Sequence, residues 1–220
     1  MRKIILTVFV SLDGVMQAPG GPQEDTTGGF EWGGWQANYG DDLLGKVMTE
    51  IMAQPFDLLL GRRTYEIFSA YWPYNTDNPI GDKFTRAKKY VVCNHPLDLP
   101  WENSTQVQGN IVAELKKLKQ QDGDPLMVWG SGVLVQTLLE ANLIDSINLL
   151  TYPITIGKGK RLFGNGTQPV TFKLTSSKIS PSGVVVATYE PAGKLVPGSF
   201  VTGAPSEAEL ARREKWKAEK

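Results

Sequence analysis

The stretch Leu126-Met127-Val128-Trp129-Gly130-Ser131-Gly132-Val133-Leu134-Val135-Gln136-Thr137-Leu138-Leu139 constrains this chain more than any other. Four apolar residues in a row read as a buried strand, Gly-Ser-Gly as a tight turn, and positions 134, 135, 138 and 139 as one apolar helix face. A strand that turns through glycine into a helix suits phosphate binding. The first N–H groups of the helix lack partners within it, its dipole favours negative charge there, and glycine lets a phosphate approach the backbone. The competing use is a packing turn that binds nothing, and a lone Gly-x-Gly does not decide between the two.

A chain of 220 residues can build one substantial core. Lys plus Arg and Asp plus Glu both number 23, so no net field recruits nucleic acid or an anionic membrane, and neither is expected as a partner. Cys93 and His95 are the only residues of their kinds, which excludes an intramolecular disulfide framework and a cysteine metal cluster. No clustered Asp/Glu ligand motif appears either, so no metal site is expected. Residues 3–10 are β-branched and aromatic and read as a strand, not a cleaved leader; a cytoplasmic location is the expectation.

That first strand ends at Ser11-Leu12-Asp13-Gly14, a turn signal that brings Asp13 to a sheet edge. Asp13 either caps the turn through backbone N–H groups or faces a substrate, and the two roles can coexist. Residues 17–40 are rich in Gly and Pro yet carry Phe30, Trp32, Trp35 and Tyr39. Such a loop serves as a lid over a ring-shaped substrate, as a segment tacked down by its aromatics, or as an oligomer contact. From Asp41 the apolar spacing is helical to Met52, with Asp41 or Asp42 as N-cap and Pro55 as the stop.

Phe56 to Leu60 read as a buried strand that runs into Gly61-Arg62-Arg63-Thr64-Tyr65-Glu66, a second strand, glycine, helix junction, now with two guanidiniums that match phosphate oxygens. A third short strand, 89–95, ends in Asn94 and His95, whose polar side chains could meet a ribose or its phosphate. Residues 110–121 form an amphipathic helix with a solvated lysine face. Residues 146–151 read as a strand broken by Pro153, and 157–163 as a basic glycine turn without Walker spacing. Two strands, 170–175 and 183–190, make a hairpin around Pro181-Ser182-Gly183. The domain is expected to span 1–192, followed by a peripheral tail, 193–220, that is helical from the capping box Ser206-Glu207-Ala208-Glu209.

The order Ser11-Leu12-Asp13-Gly14, Leu60-Gly61-Arg62-Arg63-Thr64-Tyr65-Glu66, Gly130-Ser131-Gly132, Leu143-Ile144-Asp145, Pro153 and Gly157 to Phe163 resembles the bacterial dihydrofolate-reductase-like proteins related to the riboflavin-pathway reductase domain. The resemblance covers about residues 3–190. It implies an α/β fold of three layers, α/β/α, with a mostly parallel mixed central sheet and an antiparallel C-terminal hairpin. It also implies NADPH. By position, Gly61, Arg62, Arg63, Thr64 and Asn94 would hold the adenosine-phosphate half, and Gly130, Ser131, Gly132, Val133 and Leu134 the pyrophosphate. Asp13 would stand where nicotinamide and substrate meet, as the catalytic candidate. The Leu-Pro-Trp signature of dihydrofolate reductases is missing after the first strand; its only occurrence is Leu99 to Trp101, which points away from folate. A Rossmann dehydrogenase is rejected, because Val135 stands where the third glycine belongs.

These expectations combine into an NADPH-dependent reductase of a small heterocyclic or imine-type substrate, similar to the 5-amino-6-(5-phosphoribosylamino)uracil reductase of riboflavin biosynthesis. The alternative is a nucleotide-binding or interaction protein that kept the fold without the chemistry. A homodimer is expected, from the resemblance and from the surplus of loop Trp and Tyr at 30–39 and 71–74.

Overall fold

The computed structural model describes residues 1–164 and 167–219. Strands β1 (Ile4–Ser11), β2 (Asp57–Gly61), β3 (Lys89–Val92), β4 (Ser104–Val107), β5 (Leu126–Trp129), β6 (Ser146–Tyr152), β7 (Val170–Ile179) and β8 (Val185–Lys194) form one sheet in the order β4-β3-β2-β5-β1-β6-β8-β7. All pairings among β1 to β6 are parallel, with Ile4 opposite Leu126 and Ile5 opposite Ser146. The β7–β8 hairpin joins antiparallel at β6. Helices α1 (Asp42–Ile51), α2 (Arg62–Ser69), α3 (Pro79–Arg86), α4 (Ile111–Gln120), α5 (Gly132–Glu140) and α6 (Glu207–Ala218) complete the described elements, with single helical turns at Ala37–Tyr39 and Trp72–Tyr74. Among the described residues no helix is long and apolar enough to cross a membrane.

The continuous apolar runs of β2 and β5 follow from burial on both faces, as in parallel sheets generally. Leu59 and Val128 face a core with Leu115 and Leu118 of α4 and Leu134, Val135 and Leu138 of α5. Leu58, Leu60, Met127 and Trp129 face the opposite core with Tyr65 of α2 and Phe84 of α3. Leu44 and Val47 of α1 cover Leu150, Tyr152 and Val186. The α/β/α layering expected from the sequence is the fold observed.

The differences are local. Strand β4 was not expected: Ser-Thr-Gln-Val is an edge strand with little apolar character, recruited by its parallel register on β3. The hairpin strands run longer than their alternating cores, to Ile179 and Lys194, with register shifts on β7. The turn between them uses Gly183 at φ +85°, a conformation that favours glycine. The third strand stops at Val92, before Asn94 and His95.

Candidate active site

Because β1 to β6 are mutually parallel, their carboxyl ends share one edge, and ligand crevices in such sheets open there. A continuous cleft of about 1490 Å³ runs along that edge, lined by Phe9, Gly61, Val92, Trp129, Leu150 and Tyr152 at the strand ends. The stretches Gly61 to Thr64 and Gly130 to Leu134 both line it, as do Asn94 and His95. The ten residues assigned from the sequence to the cofactor thus lie along one cavity.

The two glycine junctions are joined to each other. Ser131 accepts the Gly61 N–H on its hydroxyl at 2.8 Å and donates the same hydroxyl to Thr64 Oγ1 at 2.7 Å. A Cβ on Gly61 would stand 3.2 Å from Ser131 Cβ, so glycine there is a consequence of the close approach. Ser131 itself has φ +65° and ψ +66°, costing a non-glycine residue on the order of 1–3 kcal/mol. Its two hydroxyl bonds offset that strain.

Having turned to Gly61 and Thr64, the Ser131 hydroxyl does not cap α5, and Gly61 has no side chain with which to cap α2. The other four described α-helices are capped: Asp41 accepts from Leu44 N, Asn78 from Ile80 N, Asn110 from Ala113 N and Ser206 from Glu209 N. Both helices without a side-chain cap thus begin on the cleft, which the capped starts of α1, α3 and α4 also reach at Leu44, Ile80 and Ile111. A Cβ on Gly130 or Gly132 would meet nothing within 4 Å, which leaves the space before the α5 amides open. Val133 is 85% exposed while Leu134 is buried in the core, so they contribute backbone to the cleft rather than a shared apolar surface.

Charge is placed at the same end. Arg62 Nη1 bonds Glu66 Oε1 at 2.7 Å and Oε2 at 2.9 Å, whereas Arg63 Nη1 has, among the described residues, only the Thr27 hydroxyl, at 3.2 Å. Asn94 accepts the Gly109 N–H on its carbonyl oxygen at 2.7 Å, which leaves its amide N–H groups for a ligand.

Asp13 is not among the residues that line the cleft. Its carboxylate accepts from Ser11 Oγ at 2.6 Å, Ile156 N at 3.1 Å and Gly157 N at 2.8 Å, and it pairs with Arg161 at 3.3 Å. The Ser11 hydroxyl, with help from the two backbone N–H groups, holds its carboxyl down at about 2. A carboxyl so acidic donates no proton at neutral pH. Of the two roles open from the sequence, the geometry gives Asp13 the cap, tying the first turn to the basic glycine turn at 156–161.

The 17–40 loop divides its work. Phe30 packs with Val15 and Ala18, and Trp35 donates to the Gln17 carbonyl at 2.8 Å. Trp35 and Tyr39 both meet Tyr152 edge-on, at 5.2 and 5.6 Å between ring centroids. These aromatics tack the loop down, while its stretch Met16 to Asp25 forms a wall of the cleft. Further walls that the sequence did not single out are Leu44, Gly45 and Met48 of α1 and an aromatic group of Phe68, Tyr71, Trp72 and Phe84. Trp129 Nε1 is buried without a hydrogen-bond partner among the described residues.

The family described as the RibD C-terminal domain matches residues 2–186. The chain belongs to that family. Among curated relatives it is 27% identical to the uncharacterized protein YyaP of Bacillus subtilis (strain 168), over 86% of this chain and 94% of that one. It is also 27% identical to the uncharacterized protein YwjB of the same strain, over 80% of this chain and 91% of that one. Among solved structures, a putative riboflavin biosynthesis protein from Shewanella sp. PV-4 superposes with a TM-score of 0.60 at 23% identity, covering 86% of this chain and 99% of that one. Dihydrofolate reductase from Enterococcus faecalis, complexed with NADP(H) and RAB-propyl, superposes with a TM-score of 0.55 at 13% identity, over 86% and 96%. The family is thus that of the RibD C-terminal domain, and the fold is one shared with a dihydrofolate reductase.

Proposed function

We propose that this member of the family is an NADPH-dependent reductase of a small heterocyclic or imine-type substrate, similar to the uracil-derivative reductase of riboflavin biosynthesis. The observation that carries the reading is the pair of uncapped helix starts, stitched together by Ser131, that open on one cleft of about 1490 Å³. Free first-turn amides at both helices and an open approach over Gly130 and Gly132 fit a diphosphate. Arg63, whose only partner is a neutral hydroxyl, fits a further phosphate on the ribose, with Arg62 shared with Glu66 beside it.

When bound, a reduced nicotinamide supplies the hydride. The chain's residues supply alignment and exclusion of water: Phe9, Trp129 and Tyr152 at the strand ends, α1 and the 17–40 loop all line the cleft with apolar surface. A titration with NADPH and with NADH, followed by tryptophan fluorescence, tests the cofactor. Saturable binding with tighter NADPH is expected; no binding of either contradicts the reading. Turnover of a reducible heterocycle then separates a reductase from a nucleotide binder that lost its chemistry.

The same reading includes a homodimer. With Phe30, Trp35 and Tyr39 turned inward, the exposed aromatics that support it are Trp32, Tyr71 and Tyr74. Light scattering at micromolar concentration should give twice the chain mass; a mass that stays near 24.2 kDa on concentrating would refute the dimer.

A further inference from the structure

Among the described residues three basic side chains are buried, Arg2, Lys89 and Lys119. Arg2 pairs with Asp57 and Lys119 with Asp145. Lys89, the most deeply buried of the three, bonds no carboxylate of the described residues. Its Nζ donates to the Thr85 carbonyl at the end of α3 at 2.5 Å and to the Glu102 carbonyl at 3.0 Å, and it lies 4.2 Å from the centroid of the Trp101 ring.

Trp101 closes the Leu99-Pro100-Trp101 stretch, which the cofactor reading leaves unused. Its other contacts lead toward the cleft. The Trp101 N–H donates to the Tyr65 hydroxyl at 3.2 Å, and the two ring centroids are 6.2 Å apart. Tyr65 is buried and directly follows Arg62, Arg63 and Thr64, the α2 residues that line the cleft. No side chain caps α2, so its start takes its place from what packs beneath it and from the Ser131 stitch. One line of contacts therefore runs from a buried ammonium through Trp101 and Tyr65 to the turn proposed for the ribose phosphate.

We infer that Lys89 is a positioning residue for the cofactor: it clamps Trp101 between the end of α3 and Glu102, and Trp101 in turn seats Tyr65 and the phosphate-gripping turn of α2. The inference deepens the NADPH reading and rests on it for the name of the ligand; the clamp itself does not need it.

A clamp made of an ammonium responds to pH. Burial pushes the Lys89 amine down from 10.5 to about 8, with the Glu102 carboxylate opposing. The other charges nearby are engaged elsewhere: Asp57 of β2 with Arg2, Asp82 of α3 with Arg86 at 2.8 Å, Lys83 of α3 with the Met52 carbonyl, and Glu66 of α2 with Arg62. Strand β4 carries no ionisable group. As pH rises through about 8 the amine loses its charge, its attraction to the Trp101 face and the charge assistance of its two carbonyl bonds, so the seat of α2 loosens. Stability moves the other way. Because the folded value lies below the unfolded one, the ammonium costs stability below about pH 8, and the cost is relieved as pH rises toward 10.5.

The wild type is compared with Lys89→Met, which keeps the length of the side chain and removes its charge and donors. In fluorescence titrations the wild-type preference for NADPH over NADH should fall about fivefold between about pH 7 and about pH 9.5, a part of the tenfold expected for Arg63 itself. In Lys89→Met the preference should be low and flat. Guanidinium and phosphate groups keep their charges across this range, and the variant retains Cys93 and His95, which also line the cleft. Without ligand, the wild-type amides of Arg62 to Tyr65 and of Trp101 should titrate with a midpoint near 8, and those of the variant should not. The wild type should also gain melting temperature relative to the variant between about pH 8 and 10.5. A lysine that only held the fold together would change the melting temperature and leave the cofactor ratio alone.

Should Lys89→Met melt too early to titrate, Trp101→Phe keeps the backbone donor to Tyr65, weakens the hold of the ring on the ammonium, and should lower the NADPH preference at neutral pH. A wild-type preference that is flat with pH, or a step that persists in Lys89→Met, overturns the inference, as do α2 amides that do not titrate. If neither cofactor binds while those amides titrate as expected, the NADPH reading falls and the clamp stands.

Discussion

Helices α4 and α5 pack on the same face of the sheet, through Leu115 and Leu118 in one and Leu134, Val135 and Leu138 in the other, yet they begin in opposite ways. Asn110 closes α4, its side-chain oxygen accepting the Ala113 N–H at 3.1 Å, as an isolated helix start requires. At α5 the residue in the same position, Ser131, is equally able to cap but is bent into a left-handed conformation, and its hydroxyl is used on Gly61 and Thr64. A helix start left open by a residue that could have closed it has another partner in view. At α4 the N-terminus serves stability; at α5 and α2 we propose that it serves a ligand.

The largest effect that would break this comparison is at Gly132. A Cβ there meets no protein atom within 4 Å, so Gly132→Val should leave the melting temperature nearly unchanged. It should lower NADPH affinity about a hundredfold, because the diphosphate loses charge-assisted N–H bonds worth about 1.5–3 kcal/mol each. Fluorescence titration beside a thermal melt reads both quantities. A large drop in melting temperature with unchanged affinity would return the junction to a packing turn.

Next in size is Arg63→Ala, expected to remove about tenfold of the preference for NADPH over NADH, measured as the ratio of the two dissociation constants. Arg62→Ala should cost less, since its guanidinium is already shared with Glu66. Asn110→Ala sharpens the contrast from the other side: chemical denaturation should show a loss of about 1 kcal/mol, with NADPH binding untouched.

The smallest effect is at Asp13. Its carboxyl falls from the ordinary 3.8 to about 2 in the folded chain, so its contribution to stability is present above pH 3.8 and is lost as pH falls toward 2. Asp13→Asn should therefore be less stable than the wild type at neutral pH and indistinguishable from it near pH 2. A deficit that persists at the acid end would mean that packing, not the carboxylate, is what Asp13 provides.

How much of this was legible depended on whether the physics was local. Strand-glycine-helix junctions at Gly61 and Gly130 are local patterns, and the ten residues proposed from the sequence for a cofactor, Asn94 among them, all line one cleft. The stitch between the junctions was not legible, because Gly61 and Ser131 are 70 positions apart and only the β2–β5 pairing brings them together. The choice between the two roles of Asp13 stayed open in the sequence for a related reason. A turn aspartate at a strand end looks the same whether it faces a cleft or caps a distant loop, and its partners at 156, 157 and 161 lie far along the chain.

The central claim is that the open starts of α2 and α5 hold the cofactor's phosphates. Amide shift mapping of the ¹⁵N-labelled protein during an NADPH titration tests it most directly. The largest perturbations should fall on Gly132, Val133 and Leu134 and on Arg62 to Thr64, with the capped first turn of α4 at Ile111 to Ala113 left in place. Saturable binding that moves neither α2 nor α5, or that moves the α4 start as much as theirs, would contradict the account.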